Sequence, residues 1–112
     1  MIYNIPPARR GDTWDGINSI GVKVSGLAIN FTNCEVAMQF RESVDAPVAL
    51  TLSTSNSSIQ VVTPAATAVR VLPFVVDIPY GKYYYDFQVT TPAGYIKTYM
   101  AGYWPIVSDI TV

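Results

Sequence analysis

Residues 81–112 read GKYYYDFQVTTPAGYIKTYMAGYWPIVSDITV, and this run decides the fold class. At a period of two, Tyr83, Tyr85, Phe87 and Val89 share one face of a strand. Lys82, Tyr84, Asp86 and Gln88 share the other. Thr91-Pro92-Ala93-Gly94 is a turn sequence, because proline presets φ and glycine accepts a positive one. A second strand is expected from Tyr95 to Ala101 and, after Gly102, a third that reaches Val112. The run predicts a β-meander at the end of the chain and an all-β class, which leaves little room for an enzyme.

Working outward, the same alternation recurs. Asn33 to Arg41 reads as a half-buried strand, with Cys34, Val36, Met38 and Phe40 on its apolar face. Val48, Leu50 and Leu52 mark another strand, and Ser53 to Ser58 a polar hairpin tip. Ile59 to Thr63, closed by Pro64, and Thr67 to Leu72 follow as short strands, then an apolar stretch from Phe74 to Ile78. Ile17 to Val24 is an irregular strand with Ile20, Val22 and Val24 on one face, and Gly26 to Phe31 a link anchored by Leu27 and Ile29. Residues 1–10, with Pro6-Pro7 unable to donate to a ladder, form an N-terminal arm or edge strand. Eight prolines leave few windows for a helical period. Seven to nine short strands spaced near ten residues are the pattern of a single antiparallel, immunoglobulin-like β-sandwich over residues 1–112.

Composition narrows the function. Half of the 112 residues are apolar and 13% are charged, so the chain folds, and at this length it buries roughly 65% of its unfolded surface. The net charge of −1, with no basic run, gives no footprint for nucleic acid. No apolar run reaches the ~20 residues of a membrane span, and Met1 to Pro7 lacks the core of a signal peptide. Assembly in a cytoplasm is therefore expected. Three Lys and two Glu make a charge-poor surface, which suits either a subunit covered in an assembly or a small monomer with a Ser/Thr/Asn/Tyr surface.

The chemistry available is limited. The chain has no His, the commonest general base and metal ligand. Cys34 is the single cysteine, so no internal disulfide forms, and a buried, inert thiol is the expectation. Asp12 and Asp15 could hold a hard cation, but Asp-Thr-Trp-Asp lacks the ladder of oxygens of a calcium loop, and turn chemistry is their expected role. Arg10-Gly11-Asp12 reads as a tight turn in preference to an adhesion motif. The sequons at Asn30 and Asn56 carry no weight without a secretory signal. No catalytic, cofactor or metal residues are expected. Tyrosine is the remaining signal. Six of eight fall between Tyr83 and Tyr103, and with Trp104 they define a candidate assembly interface: Tyr83, Tyr84, Tyr85, Tyr95, Tyr99, Tyr103 and Trp104. Because Tyr83, Tyr84 and Tyr85 alternate, at least one must lie outside the core. A sugar site is the alternative, but polar partners around the rings look sparse.

Several segments fall in a familiar order. They are Arg10-Gly11-Asp12-Thr13-Trp14, then Leu27 to Arg41 with Val36, Met38, Phe40 and Arg41 in step, then the Ser/Thr-rich hairpin from Thr51 to Val62. The strand carrying Gly81, Tyr83, Tyr85, Asp86, Phe87 and Gln88 comes next, and the close carries Gly94, Thr98, Tyr99, Gly102, Trp104, Ile106, Asp109, Ile110 and Thr111. This layout resembles the N-terminal immunoglobulin-like domain of siphophage upper baseplate proteins, a small β-sandwich of tailed-phage virions. The resemblance implies a bacteriophage virion structural protein, partnered by other virion proteins and by copies of itself. In such proteins a host-binding region often follows the domain. With the sequence ending at Val112, an adaptor, head-fibre, capsid-decoration or tail and baseplate subunit is expected. The alternative is a carbohydrate- or host-receptor-binding module.

Overall fold

The computed structural model describes residues 2–62 and 66–107. It is all-β, with twelve strands and no helix among the described residues. In chain order these are β1 (Ala8–Arg9), β2 (Thr13–Trp14), β3 (Ile17–Ile20), β4 (Lys23–Val24), β5 (Leu27–Ala28) and β6 (Glu35–Arg41). Then follow β7 (Leu50–Ser53), β8 (Ile59–Val61), β9 (Val69–Val71), β10 (Phe74–Val75), β11 (Gly81–Thr90) and β12 (Ile96–Val107). Five strands make the main sheet, in the order β1-β12-β11-β6-β7, which curls toward a half-barrel. A second sheet is ordered β3-β9-β8, and β10-β2 and β4-β5 form two small ribbons.

The alternation along β11 and β6 does what the sequence requires. Tyr83, Tyr85, Phe87 and Val89 face the core beside Val36, Met38 and Phe40. One buried cluster joins these to Ile20, Ile59, Val69 and Val71 of the second sheet, so both sheets share one core. The turn between β11 and β12 is closed by Gly94 N–H to Thr91 O at 2.9 Å and Thr91 N–H to Tyr95 O at 2.8 Å.

Several elements differ from the sequence expectation. Gly102 does not break the chain into a third strand. β12 runs unbroken from Ile96 to Val107, and Gly102 pairs with Tyr85. The closing unit is a two-stranded hairpin whose register shifts by one residue at Tyr99, between the Gln88↔Thr98 and Phe87↔Met100 pairs. Residues 108–112, with Asp109, Ile110 and Thr111, and residues 63–65, with Pro64, lie outside the described residues. The main sheet is mixed, because the N-terminal arm runs parallel to β12, with Ala8 opposite Ile106 and Arg9 opposite Val107. The strand expected from Asn33 begins at Glu35. Asn33 sits at φ +60° in a turn closed by Cys34 N–H to Phe31 O at 3.0 Å, so Cys34 stays half-buried against the core without being in the strand. Leu27 is no anchor. It belongs to the β4–β5 hairpin, whose two-residue turn, Ser25-Gly26, takes the positive φ at both positions that such turns need (53° and 82°). Leu27 and Val24 are exposed at its tip.

The main sheet has two edges, and each is blunted. On the arm side, Pro6 and Pro7 precede β1 and cannot donate. On the β7 side, Thr54 N–H reaches Val36 O, so Thr51 and Ser53 turn their backbone groups away from β6. The polar loop after β7 folds back to satisfy them. Asn56 Nδ2 donates to Thr51 O at 2.9 Å, and Ser53 N–H donates to Asn56 Oδ1 at 3.2 Å and to Ser58 Oγ at 3.0 Å. Glu35 fastens the same loop to β6, accepting from the Ser55 N–H and hydroxyl, and the Ser55 bond holds its carboxyl below the usual value.

Replacing Asn56 with alanine frees the Thr51 carbonyl and removes one acceptor from Ser53 N–H. A loss of about 1–2 kcal/mol is expected, together with concentration-dependent self-association through the uncovered edge. Denaturant unfolding and sedimentation at rising concentration check both. An unchanged midpoint with a strictly monomeric profile would show that the cap is idle.

Candidate functional site

The seven aromatic residues expected to form one interface are divided by the sheet. Tyr83, Tyr85 and Trp104 are core residues, exposed by only 1%, 4% and 0%, and cannot be contact residues without opening the fold. The cause is the register. Tyr83 pairs with Trp104 on the inner face, and Tyr84 pairs with Tyr103 on the outer one. Tyr84 and Tyr95 are exposed, and Tyr99 and Tyr103 are half-buried.

The buried rings also fasten the arm. Tyr85 hydroxyl donates to Tyr3 O at 2.6 Å, and Trp104 Nε1 donates to Pro6 O at 3.1 Å. Tyr83 hydroxyl donates to Pro79 O at 2.6 Å. Burial pushes the Tyr83 and Tyr85 phenols above their ordinary value, so both remain donors throughout the neutral range.

The outer face of β11 carries the exposed chemistry. Tyr84 lies opposite Arg41 of β6 and opposite Tyr103 of β12, and Asp86 lies opposite Gln39 and Ala101. Lys82 Nζ sits 4.0 Å from the Tyr103 ring centre and 5.8 Å from that of Tyr84, a cation–π placement on the first ring. Tyr84, nearly half exposed, is the open ring. Beside it is a shallow hollow of about 300 Å³, whose walls include Gln39, Arg41, Val44, Asp86 and Gln88. Arg41 Nη1 donates to Ala46 O at 3.0 Å, and Gln88 Nε2 donates to Asp86 Oδ2 at 3.2 Å, so both polar groups are held in place.

The polar partners that looked sparse in the sequence are therefore gathered here from two strands. Period two alone placed Asp86 and Gln88 beside Tyr84, but the β6 register that adds Gln39 and Arg41 is set by long-range pairing. A second exposed group lies at the β11–β12 turn, where Tyr95 and Ile96 are 69% and 63% exposed.

The other candidates stay apart from this face. Asp12 is the last residue of the turn Arg9–Asp12, its N–H donating to Arg9 O at 3.2 Å with Gly11 at φ +93°, the tight turn expected of Arg10-Gly11-Asp12. No group of three or more metal-ligating side chains occurs among the described residues. Neither a protein-family model nor a curated protein matches the chain.

Proposed function

We infer that the chain is a non-enzymatic virion structural protein of a tailed bacteriophage, a head-decoration, head-fibre or tail and baseplate adaptor subunit. It works through contacts with other virion proteins and with copies of itself, on a fold we read as a variant of the immunoglobulin-like sandwich. The observation that carries the reading is large apolar side chains left in water on a chain with only fifteen Asp, Glu, Lys and Arg residues. Tyr95 and Ile96, adjacent at one turn, and Leu27, 75% exposed at the tip of another, offer apolar surface that a partner would bury. The segment order resembling the siphophage domain supports the same reading. Of the seven aromatic residues expected to form the interface, Tyr95 remains as a contact residue, joined by Ile96 and Leu27, while Tyr84 and Tyr103 lie on the separate outer face of β11 and β12.

The test is co-sedimentation with assembled particles, alongside light scattering of the isolated protein. Retention on particles or a stable oligomer is expected for the wild type. Loss of both is expected for a Tyr95→Ser, Ile96→Ser variant with unchanged melting, because neither side chain belongs to the core. A wild-type protein that stays monomeric at high concentration and is not retained would overturn the reading.

A further inference from the structure

The hollow beside Tyr84 has a composition that an assembly contact does not need. It is walled by β11 and β6, with Tyr84, Asp86 and Gln88 from the one and Gln39 and Arg41 from the other. Its rim offers one open aromatic ring, a fixed guanidinium, a fixed carboxylate and two amides. The Gln39 amide and the Tyr84 hydroxyl have no hydrogen-bond partner among the described residues.

Three ligand classes can be compared with this set. A phosphate or other anion would meet Arg41, with Lys82 near the Tyr84 ring, but also the Asp86 carboxylate in the wall of the same hollow, which opposes it. An apolar ligand would bury the unpartnered Gln39 amide and a charged Asp86 carboxylate held by a single hydrogen bond, at a cost that outweighs contact with a single ring. A polyol meets neither objection. Each hydroxyl both donates and accepts, so adjacent hydroxyls match Asp86, Gln39 and Arg41, while the C–H face of a ring packs on Tyr84. The volume, about 300 Å³, lies at the small end of ligand sites and suits one or two sugar rings.

We propose that this face is a shallow saccharide-binding site for a neutral pyranose unit, with Tyr84 as the stacking platform and Asp86, Gln39 and Arg41 as the hydroxyl partners. It goes beyond the assembly role and does not depend on it, since the turn carrying Tyr95 and Ile96 contributes nothing to the hollow. An open site with one ring binds a single unit weakly, with a Kd on the order of millimolar, so biological use would rest on many copies acting together.

The experiment is an amide-shift NMR titration of the intact chain with methyl glycosides of glucose, galactose, N-acetylglucosamine and rhamnose. Shifts confined to the amides around Gln39–Val44 and Lys82–Gln88 are expected for at least one of them. Tyr84→Phe should keep binding, Tyr84→Ala should abolish it, and Asp86→Asn should weaken it several-fold, each with wild-type dispersion elsewhere in the spectrum. No shift with any of the four, or binding undiminished in Tyr84→Ala, overturns the proposal. It is equally overturned if Tyr84→Ala loses particle retention while no glycoside perturbs the wild type, which makes the face a protein contact. Loss of particle retention in the Tyr95/Ile96 variant with glycoside shifts intact separates this result from the assembly reading.

Discussion

Trp104→Ala is expected to cost about 3–5 kcal/mol, the range for removing a large buried aromatic, and to lower the melting temperature by on the order of 15 °C. The reason is position as well as size. Trp104 lies 5.4 Å from Phe40 in the main sheet, and 4.7 Å and 6.3 Å from Trp14 and Phe74 in the β2–β10 ribbon. It is the ring across which the small ribbon packs on the large sheet. Its Nε1 also holds the Pro6 carbonyl of the arm, so truncation removes a fastening in addition to opening a cavity. A domain of this size is stable by only roughly 5–15 kcal/mol, so the loss is a large share of the total. Trp104→Phe separates the two contributions. It keeps most of the ring contact and should cost about 1–2 kcal/mol, largely for the lost hydrogen bond and residual cavity. Equilibrium unfolding followed by circular dichroism measures both. Equal, small losses for the two variants would remove Trp104 from its central place.

Much of this arrangement can be read from alternation, and the limits of that reading are specific. Tyr83, Tyr85, Phe87 and Val89 face inward as their spacing demands, because a strand with one buried face has no other register open to it. The same rule sends Tyr84 outward. Spacing could not place Trp104, whose face depends on where β12 pairs with β11 across a register shift at Tyr99. Grouping it with the surface tyrosines followed composition, and the pairing with Tyr83 puts it inside. Nor could local sequence show the parallel docking of residues 2–9 on β12, a contact between opposite ends of the chain. The candidate site was half legible for the same reason. β11 announces Tyr84, Asp86 and Gln88, whereas Gln39 and Arg41 join them only through the β6–β11 register.

Gly102→Ala is expected to be as damaging as a core truncation, although it adds one methyl group. In most strand positions this exchange is neutral or mildly favourable, because alanine loses less freedom on folding. Here a Cβ would stand 2.0 Å from Tyr3 O, 2.7 Å from Tyr3 C and 3.0 Å from Asn4 Oδ1. The first two are backbone atoms and cannot swing aside as a side-chain tip would. Gly102 is therefore a point where the arm's backbone lies against β12 with no room for a side chain, and the glycine expected to break the strand is a packing requirement. Relief means lifting the arm. That breaks Tyr3 N–H to Ala101 O and Ile5 N–H to Tyr103 O, both 2.9 Å, and strips the Tyr85 hydroxyl and Trp104 Nε1 of their acceptors. It also exposes Ile5, otherwise 2% accessible, whose burial alone contributes about 1.5–3 kcal/mol. A total loss of about 3–5 kcal/mol follows, with fast hydrogen exchange at Tyr3 and Ile5. The decisive comparison is a double-mutant cycle with residues 1–7 deleted. Without Tyr3 and Asn4 the added methyl meets nothing, and Gly102→Ala should become nearly neutral. If it remains as costly in the shortened chain, the clash is not with the arm. If the cycle closes as expected, the uncovered side of β12 is a free edge, and the Gly102→Ala protein should pair with a second chain along it.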